Sequence, residues 1–332
     1  MTRAAALAIC GALMFPAAAH GQSITGEVAL STGVSTDDVT AAAVQTRAFG
    51  DLTGGVRYFV EAAWARTSDD DSDAFSSAYP YANRVQFIEA YGERLFKPDG
   101  GLVNVRTGRF RTPFGIYNAS DHAYSGFLRS PLVRYDGYYA LSNTSLEHGA
   151  SITAGMPSLN VEAAFGAPAD VGIDRRQSGL DSTVRVQGYY GPLIAGVSYT
   201  RSRPVEEEAD LGGHASFTGI DARFTRGGVQ VRGEWITGEP YPGSSTTGWY
   251  VDLFVHRTFM GPVTAVARIE RLDFEADEED ENAFRRRQTI GARIRILEQL
   301  ALTVNVIHQT GFGGEYRPTA MDVGVTWTAR FR

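Results

Sequence analysis

The sequence predicts an all-β fold: one antiparallel barrel of about sixteen strands that crosses a membrane. Apolar residues recur at every second position between residues 23 and 331. The alternating segments are joined in turn by short, turn-rich pieces and by longer polar ones. The N-terminus has the layout of an export signal. Composition narrows the remaining classes. With 43% hydrophobic and 11% aromatic residues over 332 positions, the chain is too apolar to be disordered. A net charge of −7 argues against nucleic-acid binding, which needs surplus Lys and Arg to neutralise phosphates. The single cysteine, Cys10, lies near the N-terminus, which excludes a disulfide, a cysteine zinc site or a cysteine nucleophile in the remainder. Of the 31 basic residues one is lysine, Lys97.

Residues 1–21 read as a secretory signal peptide and 22–332 as the barrel domain. Met1 to Arg3 is a short positive start, Ala4 to Phe15 an apolar run, and Pro16 to Gln22 a small-residue exit with cleavage between Ala19 and Gln22. Ile9 before Cys10 speaks against a lipoprotein signal. The apolar run is too short to span a bilayer, and no later stretch reaches the roughly 18 apolar residues a transmembrane helix needs.

Strand alternation is clear in Val56, Tyr58, Val60, Ala62 and Trp64 against Arg57 and Glu61, and in Leu159, Val161, Ala163 and Phe165 against Asn160 and Glu162. It recurs at Ala150–Met156, Leu193–Tyr199, Trp249–Val255, Ile290–Ile296 and Met321–Phe331. Two segments, Thr40–Phe49 and Arg84–Phe96, alternate poorly and are assigned as strands on spacing. Seven short connections lie at 50–54, 97–101, 156–158, 191–192, 226–228, 261–262 and 297–299. Eight longer ones are centred on 33–39, 67–82, 113–146, 167–181, 202–214, 239–247, 275–283 and 310–319. Short turns at one end and long loops at the other are the layout of a bacterial outer-membrane barrel.

Alternation alone also fits a soluble sandwich or closed barrel with the apolar parity inside. Three facts favour the membrane. A ring of about sixteen strands leaves a lumen too wide for side chains to fill, so the polar parity must line water. Apolar-parity aromatics gather toward strand ends at Trp64, Tyr190, Tyr199, Trp235, Trp249 and Phe331, as interfacial girdles require. The mean hydropathy, −0.18, suits a barrel with polar lumen and loops.

The segment Gly108-Arg109-Phe110-Arg111-Thr112-Pro113-Phe114-Gly115, preceded by Phe87-Ile88-Glu89-Ala90-Tyr91 and followed by a long loop, resembles Gram-negative porins, particularly the phosphate-selective porin O/P-like superfamily. The match covers residues 84–140; elsewhere it is one of strand layout. The resemblance implies that the third extracellular loop, 113–146, folds into the barrel and narrows the channel. Phosphate-selective members use lysine-rich clusters, whereas the one lysine here lies in a short turn. The resemblance also implies passive diffusion of small hydrophilic solutes or ions, surrounding lipid and lipopolysaccharide, and a homotrimer. An anion- or phosphate-selective channel, and a plugged barrel with a surface-binding or structural role, remain as alternatives.

On the polar parity Arg57, Arg106, Arg185, Arg223, Arg232, Arg268, Arg293 and Arg295 are basic pore-lining candidates, and Glu27, Glu61, Glu162, Asp221, Glu234, Asp252, Glu270 and Asp322 acidic ones. Mixed signs point to a weakly selective channel, and several neighbours could be plain wall ion pairs. Within the constriction loop the candidates are Tyr117, Asp121, Arg129, Arg134, Tyr135 and Asp136, with His122, Tyr124, Tyr138 and Tyr139 beside them. Arginine offers a fork for carboxylate or phosphate and tyrosine a stacking face; the competing reading is a plug braced by tyrosines. Arg129 and Arg134 are expected to help set selectivity. The acidic runs Asp69–Asp71 with Asp73, and Glu275–Glu281, lack the spaced ligands of a calcium loop and read as solvated tips or divalent bridges to lipopolysaccharide. Arg285, Arg286 and Arg287 could instead meet its phosphates directly. No zincin, phosphate-loop or nucleophile-elbow motif is present, so neither an enzyme nor a cofactor or metal is expected.

Overall fold

A computed structural model describes residues 24–69, 72–76, 85–116, 126–135, 141, 146–168, 180–202, 214–256, 261–276, 283–311 and 318–332. The signal segment 1–21, with Cys10, lies outside the described residues, as do Asp70, Asp71, Tyr117, Asp121, His122, Tyr124, Asp136, Tyr138, Tyr139 and 277–281. Sixteen strands follow one another: β1 (Ile24–Ser35), β2 (Thr40–Asp51), β3 (Val56–Thr67), β4 (Val85–Phe96), β5 (Leu102–Arg111), β6 (Leu146–Met156), β7 (Leu159–Pro168) and β8 (Asp181–Tyr190). The second half is β9 (Leu193–Ser202), β10 (Ala215–Arg226), β11 (Val229–Glu239), β12 (Ser244–Val255), β13 (Val263–Ala276), β14 (Ala283–Arg295), β15 (Leu300–Thr310) and β16 (Thr319–Phe331). Each pairs antiparallel with its sequence neighbours, and β1 pairs with β16 from Gly26↔Phe331 to Ser35↔Asp322, closing the barrel. No described helix is long and apolar enough to cross a membrane.

Residues opposite one another in an antiparallel pair share a face. The registers therefore gather the polar parity into rows that run around the inside, such as Arg330–Glu27–Arg47–Glu61 across β16, β1, β2 and β3. The other parity is apolar and turned outward: Val197, Ile220, Ile269, Ile290 and Phe165 are all more than half exposed. That belt is the surface a membrane would cover.

Two departures from the expected pattern have local causes. In β4 the register slips between Glu61/Ala62 of β3: Glu61 faces Glu89 and Ala62 faces Phe87, leaving Ile88 as a bulge. Ile88 and Glu89 then both turn inward, which is why Arg84–Phe96 alternates poorly. Ala41 and Ala43 of β2 are inward yet apolar because residues 72–76 and Leu128 pack on them. The longer connections expected around 33–39 and 239–247 are only 36–39 and 240–243, since β1 and β12 extend into them.

Between β6 and β7, Gly149 faces Gly166, and a Cβ at Gly149 would run into the Phe165 carbonyl. Gly149→Val is therefore expected to destabilise the barrel by about 1–3 kcal/mol. The check is the temperature at which the compact, SDS-resistant gel band converts to the unfolded one, which should fall.

Candidate functional site

The chain leaves β5 through Pro113, and Phe114 enters the lumen. Its buried ring clusters with Leu132, Val133 and Leu141 of the same loop and with Phe217 of β10, Ile236 of β11, Tyr250 of β12 and Leu272 of β13. Those strands lie across the ring from β5 or well around it, so the described part of the loop runs through the interior. Gly115 has φ 61°, and a side chain there would strike Glu234 and Arg134. Its N–H donates to Ser198 Oγ at 3.0 Å, its carbonyl accepts from Arg185, and the Ile116 N–H donates to Glu234 Oε1 at 2.7 Å.

Two arginines fasten the loop. Arg134 ends a single 3-10 turn, Leu132–Arg134, and is fully buried. It grips Glu234 with both prongs, Nε to Oε2 at 3.0 Å and Nη2 to Oε1 at 2.8 Å, while the Tyr250 hydroxyl donates to the same carboxylate at 3.0 Å. Arg129 donates to Asp322 from Nε at 2.8 Å and Nη2 at 3.0 Å, to Asp73 from Nη1 at 2.8 Å and to Asp37 from Nη2 at 2.7 Å. Its own carbonyl accepts from Arg268 at 2.9 Å. Asn305 clasps the backbone on either side of Phe127, accepting from the Leu128 N–H at 2.8 Å and donating to the Gly126 carbonyl at 3.0 Å.

Asp73 is not a solvated tip. Residues 72–76 of the preceding long connection fold inward, where Asp73 is bonded to Arg129 and Arg287 and Ser76 Oγ accepts from the Ser130 N–H at 3.0 Å. Arg287 is likewise withdrawn from the surface, bonded to Asp73, the Ser130 carbonyl and, at 2.6 Å, Glu270. Arg285 is half-buried, and Arg286 is exposed on the outer face over the Phe284 ring. Burial would raise the Asp73 carboxyl, but Arg129 and Arg287 outweigh it and hold it below the usual carboxylate range. Burial alone would lower Arg129 and Arg134; their carboxylates Asp73 and Glu234 raise both instead, so both stay charged.

The other pore-lining candidates lie on the inner face in two different settings. On the covered side Arg185 pairs with Asp221 at 3.0 Å, Arg232 with Asp252 at 3.0 Å and Arg268 with Asp252 at 2.6 Å, all buried. On β1–β7 a more accessible lattice links Arg47 to Glu61 at 3.2 Å, Arg111 to Glu61 at 2.9 Å and to Glu89 at 3.3 Å, and Arg57 to Glu93 at 2.7 Å. Arg106 sits between Glu93 at 3.8 Å and Glu162 at 3.9 Å. Arg57 is 49% exposed at its side chain against 0% for Arg134. Arg223 and Arg293 are half-buried and Arg295 exposed toward the short-turn end, and Tyr135 is half-buried beside Arg134.

Of the motif residues, Gly108 pairs with Tyr91 and Gly149, Phe110 is buried and Pro113 half-buried. Arg109 faces outward, donating to the Ile88 carbonyl at 3.1 Å and lying 3.5 Å from His148. Sequence reasoning missed Asp73, Arg111, Glu89 and Arg287 as lumen groups. Extending the parity of Ile290, Ala292 and Ile294 back along β14 would have found Arg287. The apolar inward positions Phe217, Ile236 and Leu272 were a second signal, since only a loop folded over them removes them from water. Among the described residues no group of three or more His, Cys, Asp or Glu could hold a metal ion.

No family model matches the chain, and no curated protein matches it. Solved structures do. An anion-selective porin from Comamonas acidovorans is 13% identical with a TM-score of 0.61, covering 93% of this chain and 99% of that one. OmpF of Salmonella typhi, in complex with daunomycin, is 12% identical with a TM-score of 0.62 over 93% and 97%. The in-vitro folded trimer form of OmpT from Vibrio cholerae is 10% identical with a TM-score of 0.61 over 93% and 99%. At these identities the likeness is one of fold: the chain is a porin-type closed barrel.

Replacing Asp73 by Asn leaves Arg129 and Arg287 short of a counter-charge, a loss of about 3–5 kcal/mol for a buried pair. In Asp73→Asn, trypsin is expected to cut after Arg129 and Arg134 faster by on the order of tenfold while the barrel stays compact. A carboxyl held below its ordinary value stabilises fully above that value and loses its hold as the pH falls through the lowered one. The wild-type loop should therefore resist an acid-active protease at about pH 5 and loosen only well below the ordinary value of 3.8.

Proposed function

We propose that the chain is a bacterial outer-membrane porin, exported through a cleaved signal peptide, that lets small hydrophilic solutes or ions diffuse passively. The observation that carries this reading is the unequal treatment of the inner wall. Loop residues cover the β8–β16 side and the loop-end positions Ala41 and Ala65, while Arg47, Arg57, Glu93, Arg106 and Glu162 on β2–β7 stay partly accessible and would line the channel. Opposed signs on neighbouring strands order water and favour polar solutes without selecting strongly for one sign. Residues 113–146 act as the constriction. Arg129 and Arg134 set its width by holding the loop to the wall, which supports a role in selectivity exerted through position.

Assembly as a homotrimer within lipid and lipopolysaccharide is part of the proposal, in keeping with the trimer form of the Vibrio cholerae neighbour. The narrower likeness to phosphate-selective porins rests on residues 84–140, chiefly Gly108–Gly115 with Phe87–Tyr91 before it, and Lys97 lies in the turn before β5, away from the loop contacts. We therefore propose weak selectivity in place of phosphate selectivity.

Single-channel recording of the refolded protein in a planar bilayer, with reversal potential under a salt gradient, tests the reading. Discrete, stable steps are expected. Silence from a barrel that keeps its compact gel band would mean a plugged, surface-binding or structural protein. Arg129→Ala combined with Arg134→Ala should raise mean conductance and open-channel noise and shift the reversal potential; an unchanged channel would remove both residues from the proposal.

A further inference from the structure

At the short-turn end of the barrel the inner face carries aromatic rings where a water-filled lumen calls for polar groups. Phe49, Phe59 and Tyr91 stand directly opposite one another on β2, β3 and β4, in the same inward parity as Arg47, Glu61 and Glu89. Phe59 and Tyr91 are stacked at 5.3 Å and 22°, and the Arg106 guanidinium braces Tyr91 from 4.7 Å. Charged rows flank them: Glu27, Arg47 and Glu61 on one side, Asp51, Arg57, Glu93 and Arg106 on the other. At the loop end, inward apolar residues are covered by loop segments. Here Phe49 is 45% exposed.

Two of these rings, Phe49 and Phe59, open onto a cavity of about 610 Å³ shared with Glu27, Arg47, Arg330 and Arg332. That volume is in the range of small-molecule sites. Phe331, on the outward parity over Gly26, meets the cavity at the rim of the barrel. Counted by side chain, the lining carries three guanidiniums and one carboxylate. Glu27 takes Arg330 at 2.7 Å and Arg47 at 3.8 Å, and Arg47 is shared with Glu61. Arg332 is exposed, with no ion-pair partner among the described residues. A flat apolar wall facing surplus arginine matches a molecule with a planar ring and an anionic end.

We propose that this pocket is a binding site for small aromatic carboxylates, the ring laid against Phe49 and Phe59 and the carboxylate held by Arg332 and Arg330. The site stands whether or not the barrel conducts. Its role as a stage in solute passage, at the periplasmic mouth, rests on the porin reading.

Equilibrium dialysis of radiolabelled benzoate against the folded, detergent-solubilised protein tests binding without requiring conduction. Saturable binding is expected, with acetate and benzyl alcohol competing poorly. Phe49→Ala with Phe59→Ala should weaken it about tenfold, since ring stacking is lost. Arg330→Gln with Arg332→Gln should weaken it about fivefold through loss of the charged partners. Phe49→Leu, which keeps bulk but no ring, covers the case in which the double alanine variant fails to fold, and should weaken binding while keeping the compact band. Unsaturable uptake, equal competition by acetate, or unchanged binding in a folded variant overturns the site. In bilayers, benzoate should interrupt the current more from the short-turn side. Binding by a silent barrel would sink the porin reading and leave the site, while a conducting barrel that ignores benzoate would sink the site alone.

Discussion

Every backbone amide and carbonyl in a lipid-facing sheet must find its partner within the sheet, because hydrocarbon offers none. The pairing of β1 with β16 meets that demand by removing both edges at once. The rest of the structure is a response to closure. A ring of sixteen strands encloses more space than its own side chains fill, so the interior must hold water, a loop or both. The chain after β5 supplies the loop, and the loop's own polar backbone then needs partners. Glu234, Glu270, Ser198 and Asn305 on the wall accept its N–H groups, and Arg185, Arg268 and Arg287 donate to its carbonyls. The wall charges thus satisfy loop segments whose regular structure, among the described residues, is the one 3-10 turn Leu132–Arg134.

Carboxylates bridge these contacts in groups. Asp73 joins Arg129 and Arg287, Asp252 joins Arg232 and Arg268, and Glu61 joins Arg47 and Arg111. Burying such charges is costly in isolation, and sharing lets each ion meet several counter-charges without extra side-chain ordering. It also ties two connections far apart in sequence, 72–76 and 126–135, to the same wall.

Strand number, order and most boundaries were legible because period-two patterning and turn chemistry are local properties. Leu159–Phe165 and Ile290–Ile296 announce their inner and outer faces outright. Legibility fails where distant segments meet. Asp73 reads as a loop-tip acid until Arg129 and Arg287 are known to surround it, and no local pattern supplies that knowledge. The Ile88 bulge hides in the sequence for a related reason, since one inserted residue reverses the parity that identifies a strand. The loop arginines were readable as important by residue type. Their burial was not, because burial depends on which wall the loop reaches.

The cations named along the inner wall are all arginines, while Lys97 sits in a turn. A guanidinium keeps its proton at any pH a cell meets, so the positive half of the interior is constant. Within the ion pairs described along that wall, only the carboxylate halves can change charge across that span. Acid can make the interior more positive, and no physiological rise in alkalinity can make it more negative by stripping its arginines. A compartment exposed to whatever the surroundings deliver thereby has an electrical character that drifts in a single direction.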